Sequence, residues 1–463
     1  MNISLFLKSL ILSFLVCGSF LYPQTGFLKG ADISFLQQIE DNGGIFKENG
    51  IAGDPVIMLK NHGINIIRIR LWNNPPEAYN NLTKLLIIAR RIKEANLKLL
   101  VDFHYSDSWA DPGKQTKPSA WAALDFNSLE DSLYQFTKNV LSSLKGQNTL
   151  PDIIQIGNEI TNGFLWNDGK VDGLFNTPTQ WSSLTSLLKK CTLAADDVRG
   201  TDSMKIMIHL DCSTDAIKCR GFFDSLNSYN VNFDYIGLSY YPWWHGTMNP
   251  LSSNLFYLAQ RYQKPIIVAE TGYPWTLGWD DTTNNYIGLQ SQLLPGYPAT
   301  VQGQKNFLSD IITIVNNIPG NFGKGVFYWE PLSITTPTLG SSMENLALFD
   351  FSGNLLNSIS AFENISSVNK ESISGSAFVL LQNYPNPFNP VTIIRFSFRN
   401  NTKASLKIFN ILGKEIEVLY NGLALGGNVH EIRFVGKDLP SGIYYYQLEG
   451  NGLLTTKKML LIK

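Results

Sequence analysis

Two glutamates stand at the ends of short apolar runs. Glu159 closes Ile153-Ile154-Gln155-Ile156-Gly157-Asn158-Glu159, and Glu270 closes Pro265-Ile266-Ile267-Val268-Ala269-Glu270. Such runs read as buried strands with an acid at the C-terminal tip. Their separation is about three βα units of a (β/α)8 barrel, which puts the acids on strands 4 and 7. Two carboxyl groups facing each other across a barrel mouth are equipped to cleave a glycosidic bond, one protonated and one ionised, about 5 Å apart in a retaining enzyme. On this reading Glu270 attacks the anomeric carbon, while Glu159 protonates the departing oxygen and later deprotonates water. Asn158 is placed to hydrogen-bond the sugar 2-hydroxyl, and Arg70 to keep Glu270 ionised.

Other strand ends are polar too: Arg68 and Arg70 with Trp72, Asp102 with His104, His209, Tyr240-Tyr241, and Trp329-Glu330. Any one of these alone reads as a satisfied buried polar group. Their recurrence at nearly every strand end points to a site, because the mouth of a parallel barrel is where function sits. The loops add Tyr105, Trp109, Trp121, Trp166, Trp243, Trp244, His245, Trp275 and Trp279. Together these aromatics suit a cleft for several sugar rings, with plain loop packing as the alternative for each one.

Eight strands must position these residues, near 27–31, 64–71, 97–103, 153–157, 205–210, 235–239, 265–269 and 325–329. Stretches with helical period lie between them, clearest at 82–95, 129–144, 181–198 and 302–317. The fold class expected is therefore α/β, a (β/α)8 TIM barrel over residues 25–356. The texture changes near residue 360, so 357–380 reads as a linker. Residues 381–463 then alternate at 391–398, 404–410, 430–434, 443–449 and 454–462, which implies a small all-β antiparallel sandwich. Its opening Tyr384-Pro385-Asn386-Pro387-Phe388-Asn389-Pro390 carries three prolines and cannot be a central strand.

The whole chain bounds the partners. Among 463 residues the formal net charge is −1, which gives no electrostatic reason to expect nucleic acid or an anionic membrane. Lys8 followed by an apolar run makes residues 1–24 a secretory signal peptide, and no later segment is long enough to span a bilayer. Removing Cys17 leaves three cysteines, so a disulfide framework is not expected. Cys212 and Cys219 are close enough to close a small loop, and Cys191 reads as a buried apolar residue. No spacing suggests zinc.

At this point the chain resembles glycoside hydrolase family 53, the endo-β-1,4-galactanases of type I arabinogalactan and pectic galactan. The resemblance rests on 30–34 (GADIS), 68–75 (RIRLWNNP), 102–115 (DFHYSDSWADPGKQ), 155–159 (QIGNE), 240–247 (YYPWWHGT) and 269–274 (AETGYP), and covers roughly residues 27–350. It implies a retaining mechanism with Glu159 as acid/base and Glu270 as nucleophile. The substrate-binding candidates are Arg70, His104, Trp109, Asp111, Lys114, Asn158, His209, Tyr240, Trp244, His245 and Trp329. No cofactor is required. Bacterial relatives often hold calcium in the loop after strand 7, where Asp280 and Asn284 match, while Thr282 stands in place of a histidine and Gly278 in place of an aspartate. The alternatives are another β-glycan endohydrolase, a cellulase or mannanase, and an inactive surface glycan-binding protein.

Residues 381–463 resemble the sorting domain of the type IX secretion system, through 384–390, Ile408-Phe409-Asn410-Ile411-Leu412-Gly413, Ser441-Gly442-Ile443-Tyr444-Tyr445 and Lys457-Lys458-Met459. This implies passage through the periplasm to the cell surface or medium, with the secretion machinery and a galactan polysaccharide as partners.

Overall fold

Isoleucine, valine and leucine dominate eight short strands that bury both faces, as a parallel sheet covered by helices requires. In the computed structural model these are β1 (Leu28–Asp32), β2 (Ile66–Leu71), β3 (Lys98–Phe103), β4 (Ile153–Ile156), β5 (Lys205–Leu210), β6 (Tyr235–Tyr240), β7 (Ile266–Thr271) and β8 (Gly323–Trp329). Each pairs in parallel with its neighbours, and β1 closes the barrel by pairing with both β8 and β2. All C-terminal ends therefore open onto one mouth. The structure describes residues 26–363 and, apart from residues 384, 399, 427 and 428, residues 378–463. The expected signal peptide lies outside the described residues.

Helices wrap the barrel, and their starts follow from capping chemistry. Asn81 accepts from Lys84 N–H at the start of α3 (Leu82–Glu94), Asp125 from Ser128 at α4 (Phe126–Gly146), and Thr300 from Gly303 at α9 (Val301–Asn316). The remaining helices are α1 (Leu36–Asp41), α2 (Pro55–Asn61), α5 (Pro178–Arg199), α6 (Ala216–Ser228), α7 (Pro242–His245) and α8 (Met248–Tyr262).

Inside the barrel the lowest layer is apolar: Leu28, Ile66, Leu100, Ile153, Met207, Ile267, Ala269 and Phe327 pack into a plug. Gly30 is required there, because a Cβ would meet the Phe327 ring at 2.1 Å. Above this plug the inward side chains turn polar.

The boundary expected at 356 is too early. Asn357–Ala361 forms a 3-10 turn with Ile359, Ala361 and the following Phe362 in the barrel's core, and Ser358 donates to Gln304 of α9. The expected linker also contains a strand, β9 (Phe378–Leu380), at its far end. The C-terminal unit continues with β10 (Val391–Phe398), β11 (Thr402–Asn410), β12 (Glu415–Ala424), β13 (Val429–Val435), β14 (Gly442–Gly450) and β15 (Leu453–Leu461). These form two antiparallel sheets, β9-β10-β13 and β12-β11-β14-β15, over a core that includes Phe396, Leu406, Tyr446 and Met459. Sequence alternation missed β12, an edge strand with little buried surface. Residues 385–390 stay outside the ladders as their prolines demand, except that the buried Phe388 forms an isolated parallel bridge to Leu461.

No described helix is long and apolar enough to cross a membrane. Cys212 and Cys219 are joined in a disulfide, and Cys191 is free and buried.

Candidate active site

Arg68 and Arg70 lie two residues apart on β2, so both point into the barrel at successive levels. Arg68 organises the lower level. Its Nη1 donates to Asp32 Oδ2 at 2.6 Å, its Nε to Gln155 Oε1 at 3.1 Å, and its Nη2 to Asp102 Oδ2 at 2.8 Å and Asn158 Oδ1 at 2.9 Å. The same Nη2 lies 2.8 Å from Glu270 Oε1. Burial disfavours the charged guanidinium, but Asp102, Glu270 and Asp32 together outweigh it and hold the proton on Arg68. The partner expected for Glu270 was Arg70. The structure gives that place to Arg68, because the level at which an inward side chain sits follows from barrel tilt and not from alternation.

Glu270 ends up 6% exposed, with Tyr241 Oη donating to its Oε2 at 3.1 Å. Burial raises its pKa to about 7 against the downward pull of Arg68. Glu159 sits at the other side of the mouth. Gly157, at φ 74, turns the chain out of β4, and Glu159 itself adopts φ 50. Burial and the charge of Glu270 push the Glu159 pKa well up, with Ser239 opposing through a hydrogen bond. Glu159 has no ion pair among the described residues, whereas Glu270 has a guanidinium. The pair's proton therefore belongs on Glu159, and Glu270 is the carboxylate.

The remaining candidates divide. Asn158 is bound on both sides: Oδ1 accepts from Arg68 and Nδ2 donates to Ala110 O at 2.9 Å, leaving one amide hydrogen free. His104 and His209 are buried supports with both ring nitrogens engaged. His104 meets Asp102 Oδ2 at 2.9 Å and accepts from Ala110 N–H at 3.2 Å; His209 meets Asn158 Oδ1 and Ser239 Oγ, each at 2.9 Å. Burial lowers the pKa of both, so they are neutral. Tyr240 turns away from the mouth: it is fully buried, its hydroxyl bonds Gly246 O, and its ring stacks on Phe307 of α9. The tyrosine at the site is Tyr241, one step along the alternation. Asp111 and Lys114 pair through their backbones in a turn on the rim, where Lys114 is exposed.

Trp109, Trp329, Tyr241 and Trp244 form a connected aromatic wall, with ring centroids 6.2 Å apart for Trp109 and Trp329, 6.1 Å for Trp329 and Tyr241, and 5.3 Å for Tyr241 and Trp244. Trp244 is 65% exposed. His245 is held by Tyr241 N–H, which donates to its Nδ1 at 2.8 Å. Trp121 and Trp275 instead pack under loops, against Phe136 and Phe351, and Lys170 covers one face of Trp166 at 4.1 Å.

The Arg70 level differs. Its guanidinium lies 3.9 Å from the Trp109 ring centroid and 4.9 Å from those of Phe35 and Trp72. Glu330 Oε1 is 3.6 Å away, and all three Arg70 nitrogens lack a hydrogen-bond acceptor. Burial and the nearby Asp32 raise the Glu330 pKa well above its usual range.

The loop after β7 offers few free oxygens at the positions where the resemblance implied calcium. Asp280 and Asn284 are exposed, and Asp281 is satisfied by neutral donors: Thr335 Oγ1 at 2.7 Å, Ser341 N–H at 2.8 Å and Thr283 N–H at 2.5 Å. A hard cation wants six or more oxygens, and no cluster of three metal-binding side chains occurs among the described residues.

Gln155, Asp32, Ser239 and Asp211 were not singled out from sequence. Gln155 carried a signal: a lone amide inside an isoleucine strand must have buried partners.

Residues 28–362 match Glycosyl hydrolase family 53, and residues 382–463 match a Secretion system C-terminal sorting domain. The chain belongs to family 53. It is a glycoside hydrolase, and its C-terminal unit marks it as secreted or carried on the cell surface by the type IX system. Over the barrel it is 33% identical to an endo-β-1,4-galactanase of Bacillus subtilis, with 73% of this chain and 85% of that one covered. An arabinogalactan endo-β-1,4-galactanase of Cellvibrio japonicus is 34% identical over 70% and 87% of the two chains. The solved family 53 catalytic domain of Ignisphaera aggregans superposes with a TM-score of 0.69 at 38% identity, covering 73% of this chain and 97% of that one.

Proposed function

We propose that the protein is an endo-β-1,4-galactanase that hydrolyses type I arabinogalactan and pectic galactan with retention of configuration. The names of the Bacillus and Cellvibrio relatives support the substrate. The single observation that carries the mechanism is the unequal pair: Glu270 held by Arg68 and Tyr241, and Glu159 without a cation. Glu270 attacks the anomeric carbon as the bond to the leaving oxygen breaks, and that oxygen takes the proton of Glu159. Water then gives its proton to Glu159, its oxygen bonds the same carbon, and Glu270 leaves as the carboxylate. Asn158 offers its free amide hydrogen to the 2-hydroxyl, and Trp109, Trp329 and Trp244 line the path of the chain. No cofactor enters, so a chelator leaves activity and melting temperature unchanged.

The deciding experiment is product analysis on linear β-1,4-galactan beside cellulose and mannan, with the anomer followed by NMR. Galactan oligomers released first as the β-anomer are expected. Release from cellulose or mannan instead would reassign the substrate, and binding without products would make this a glycan-binding protein. Glu159→Gln should cost about 10²–10⁴-fold on galactan, and Glu270→Gln should abolish turnover, both with the fold intact by circular dichroism.

A further inference from the structure

Asn158 keeps one amide hydrogen free for substrate, and what aims that hydrogen follows from counting the donors around its oxygen. Asn158 Oδ1 faces three nitrogens: Arg68 Nη2 at 2.9 Å, Gln155 Nε2 at 3.1 Å and His209 Nδ1 at 2.9 Å. Two of the three are shared. Arg68 Nη2 has two hydrogens and lies within 2.9 Å of three oxygens, of which Asp102 Oδ2 and Glu270 Oε1 belong to carboxylates that compete with a neutral amide. Gln155 Nε2 has two hydrogens for Asp102 Oδ1 at 2.6 Å, Gly157 O at 3.1 Å and the same Asn158 oxygen. Only His209 brings a hydrogen with no competing acceptor among the described residues.

That hydrogen must sit on Nδ1, and the neighbours put it there. Asn158 cannot be turned over, because its oxygen faces the Arg68 donor while Nδ2 donates to Ala110 O at 2.9 Å. A lone pair on Nδ1 would therefore point at the Asn158 oxygen, and Gln155 Nε2, 3.0 Å away, could fill it only by withdrawing a hydrogen from Asp102 or Gly157. Nε2 of His209 is then the acceptor, and the Ser239 hydroxyl at 2.9 Å supplies its hydrogen. Burial and the charge of Arg68 hold the ring to one proton. His104 braces the opposite side, since its Nδ1 accepts from the N–H of Ala110, whose carbonyl holds Asn158 Nδ2.

We propose that His209, as the Nδ1–H tautomer set by Ser239, is a positioning residue for recognition of the sugar 2-hydroxyl: it fixes the Asn158 amide so that the remaining Nδ2 hydrogen is presented to the ring being cleaved. This rests on the 2-hydroxyl role given to Asn158 above. His209 is fully buried and acts only through Asn158.

The test has two parts. In protein labelled with nitrogen-15 at its five histidines, the ring signals that vanish in His209→Gln belong to His209, and in wild type they should show a protonated Nδ1 and an unprotonated Nε2. The opposite tautomer overturns the proposal, and this measurement needs no substrate. The second part compares kcat/KM for a dinitrophenyl β-galactobioside and for its analogue lacking the 2-hydroxyl on the ring that bears the dinitrophenyl group. The ratio of the two, compared across variants, cancels their different intrinsic reactivity. His209→Gln should lower the preference for the hydroxyl by about tenfold or more, while changing kcat/KM on the 2-deoxy substrate by no more than about threefold. His209→Asn, whose amide nitrogen can stand where Nδ1 stands, should keep the preference within about threefold of wild type. Equal loss on both substrates in His209→Gln overturns the proposal, as does a fall in His209→Asn as large as that in His209→Gln. Asn158→Ala separates the two readings. If it leaves the preference unchanged, the 2-hydroxyl role of Asn158 falls and the proposal with it; if it removes the preference and His209→Gln does not, the proposal alone falls.

Discussion

Two arginines on one strand, two residues apart and both about 1% exposed, live in opposite environments. Arg68 donates to Asp32, Asp102, Asn158 and Gln155 and pairs with Glu270, while the Arg70 guanidinium makes no hydrogen bond and rests among three aromatic rings with Glu330 at 3.6 Å. The first arrangement joins the ends of β1, β2, β3, β4 and β7, so it fixes where the Glu270 carboxylate stands. The second backs the aromatic wall from behind. Burying a guanidinium is tolerable in either way, by full hydrogen bonding or by ring faces, but only the first fixes an anion in place.

Arg68→Met separates the two levels most clearly. It strands Asp32, Asp102 and Glu270 as buried carboxylates without their cation, and should cost about 3–5 kcal/mol of stability together with measurable turnover. Denaturant melts and galactan assays read both. Arg70→Met should cost less, about 1–2 kcal/mol, because Glu330 can hold its own proton and the lost interaction is chiefly with rings. Its activity loss should be no more than about tenfold and mainly in KM, as Trp109 loses its backing. Equal damage from the two substitutions would erase the distinction.

A finer effect lies in the pH dependence of stability. The Glu330 pKa is raised in the folded protein, so the folded state favours its protonated form. Its stabilising contribution is complete below the unfolded value near 4.5 and is lost as pH rises toward the folded value. Glu330→Gln removes that loss, so its melting temperature relative to wild type should climb through the window above about pH 4.5. A constant difference across that window would place the proton elsewhere in the Arg70 level.

How much of this was legible in sequence follows from the same two arginines. Both stood out as polar groups at a strand end, and apolar runs located all eight barrel strands within a few residues. The placement of Glu159 just beyond β4 and of Glu270 near the end of β7 could be read for the same reason. The depth of each inward residue could not, since it depends on how tilted neighbours stagger in register, and so Arg70 was matched to Glu270 in place of Arg68. Tyr240 was misplaced by a single step: Ser239 points inward, so Tyr240 faces α9 and Tyr241 returns to the mouth. In the C-terminal unit β12 escaped notice because Glu415, Glu417 and Asn421 leave it without a clean apolar face.

The Cys212–Cys219 bridge begins at the residue after Asp211 and ends within the first turns of α6. A thiol pair of this kind stays open in a reducing cytosol and closes after export. The end of β5, one of the strand ends that open onto the mouth, is thus latched late in the life of the chain, outside the inner membrane. Material made in a reducing host would carry an unlatched strand end, and oxidation after purification belongs in its maturation.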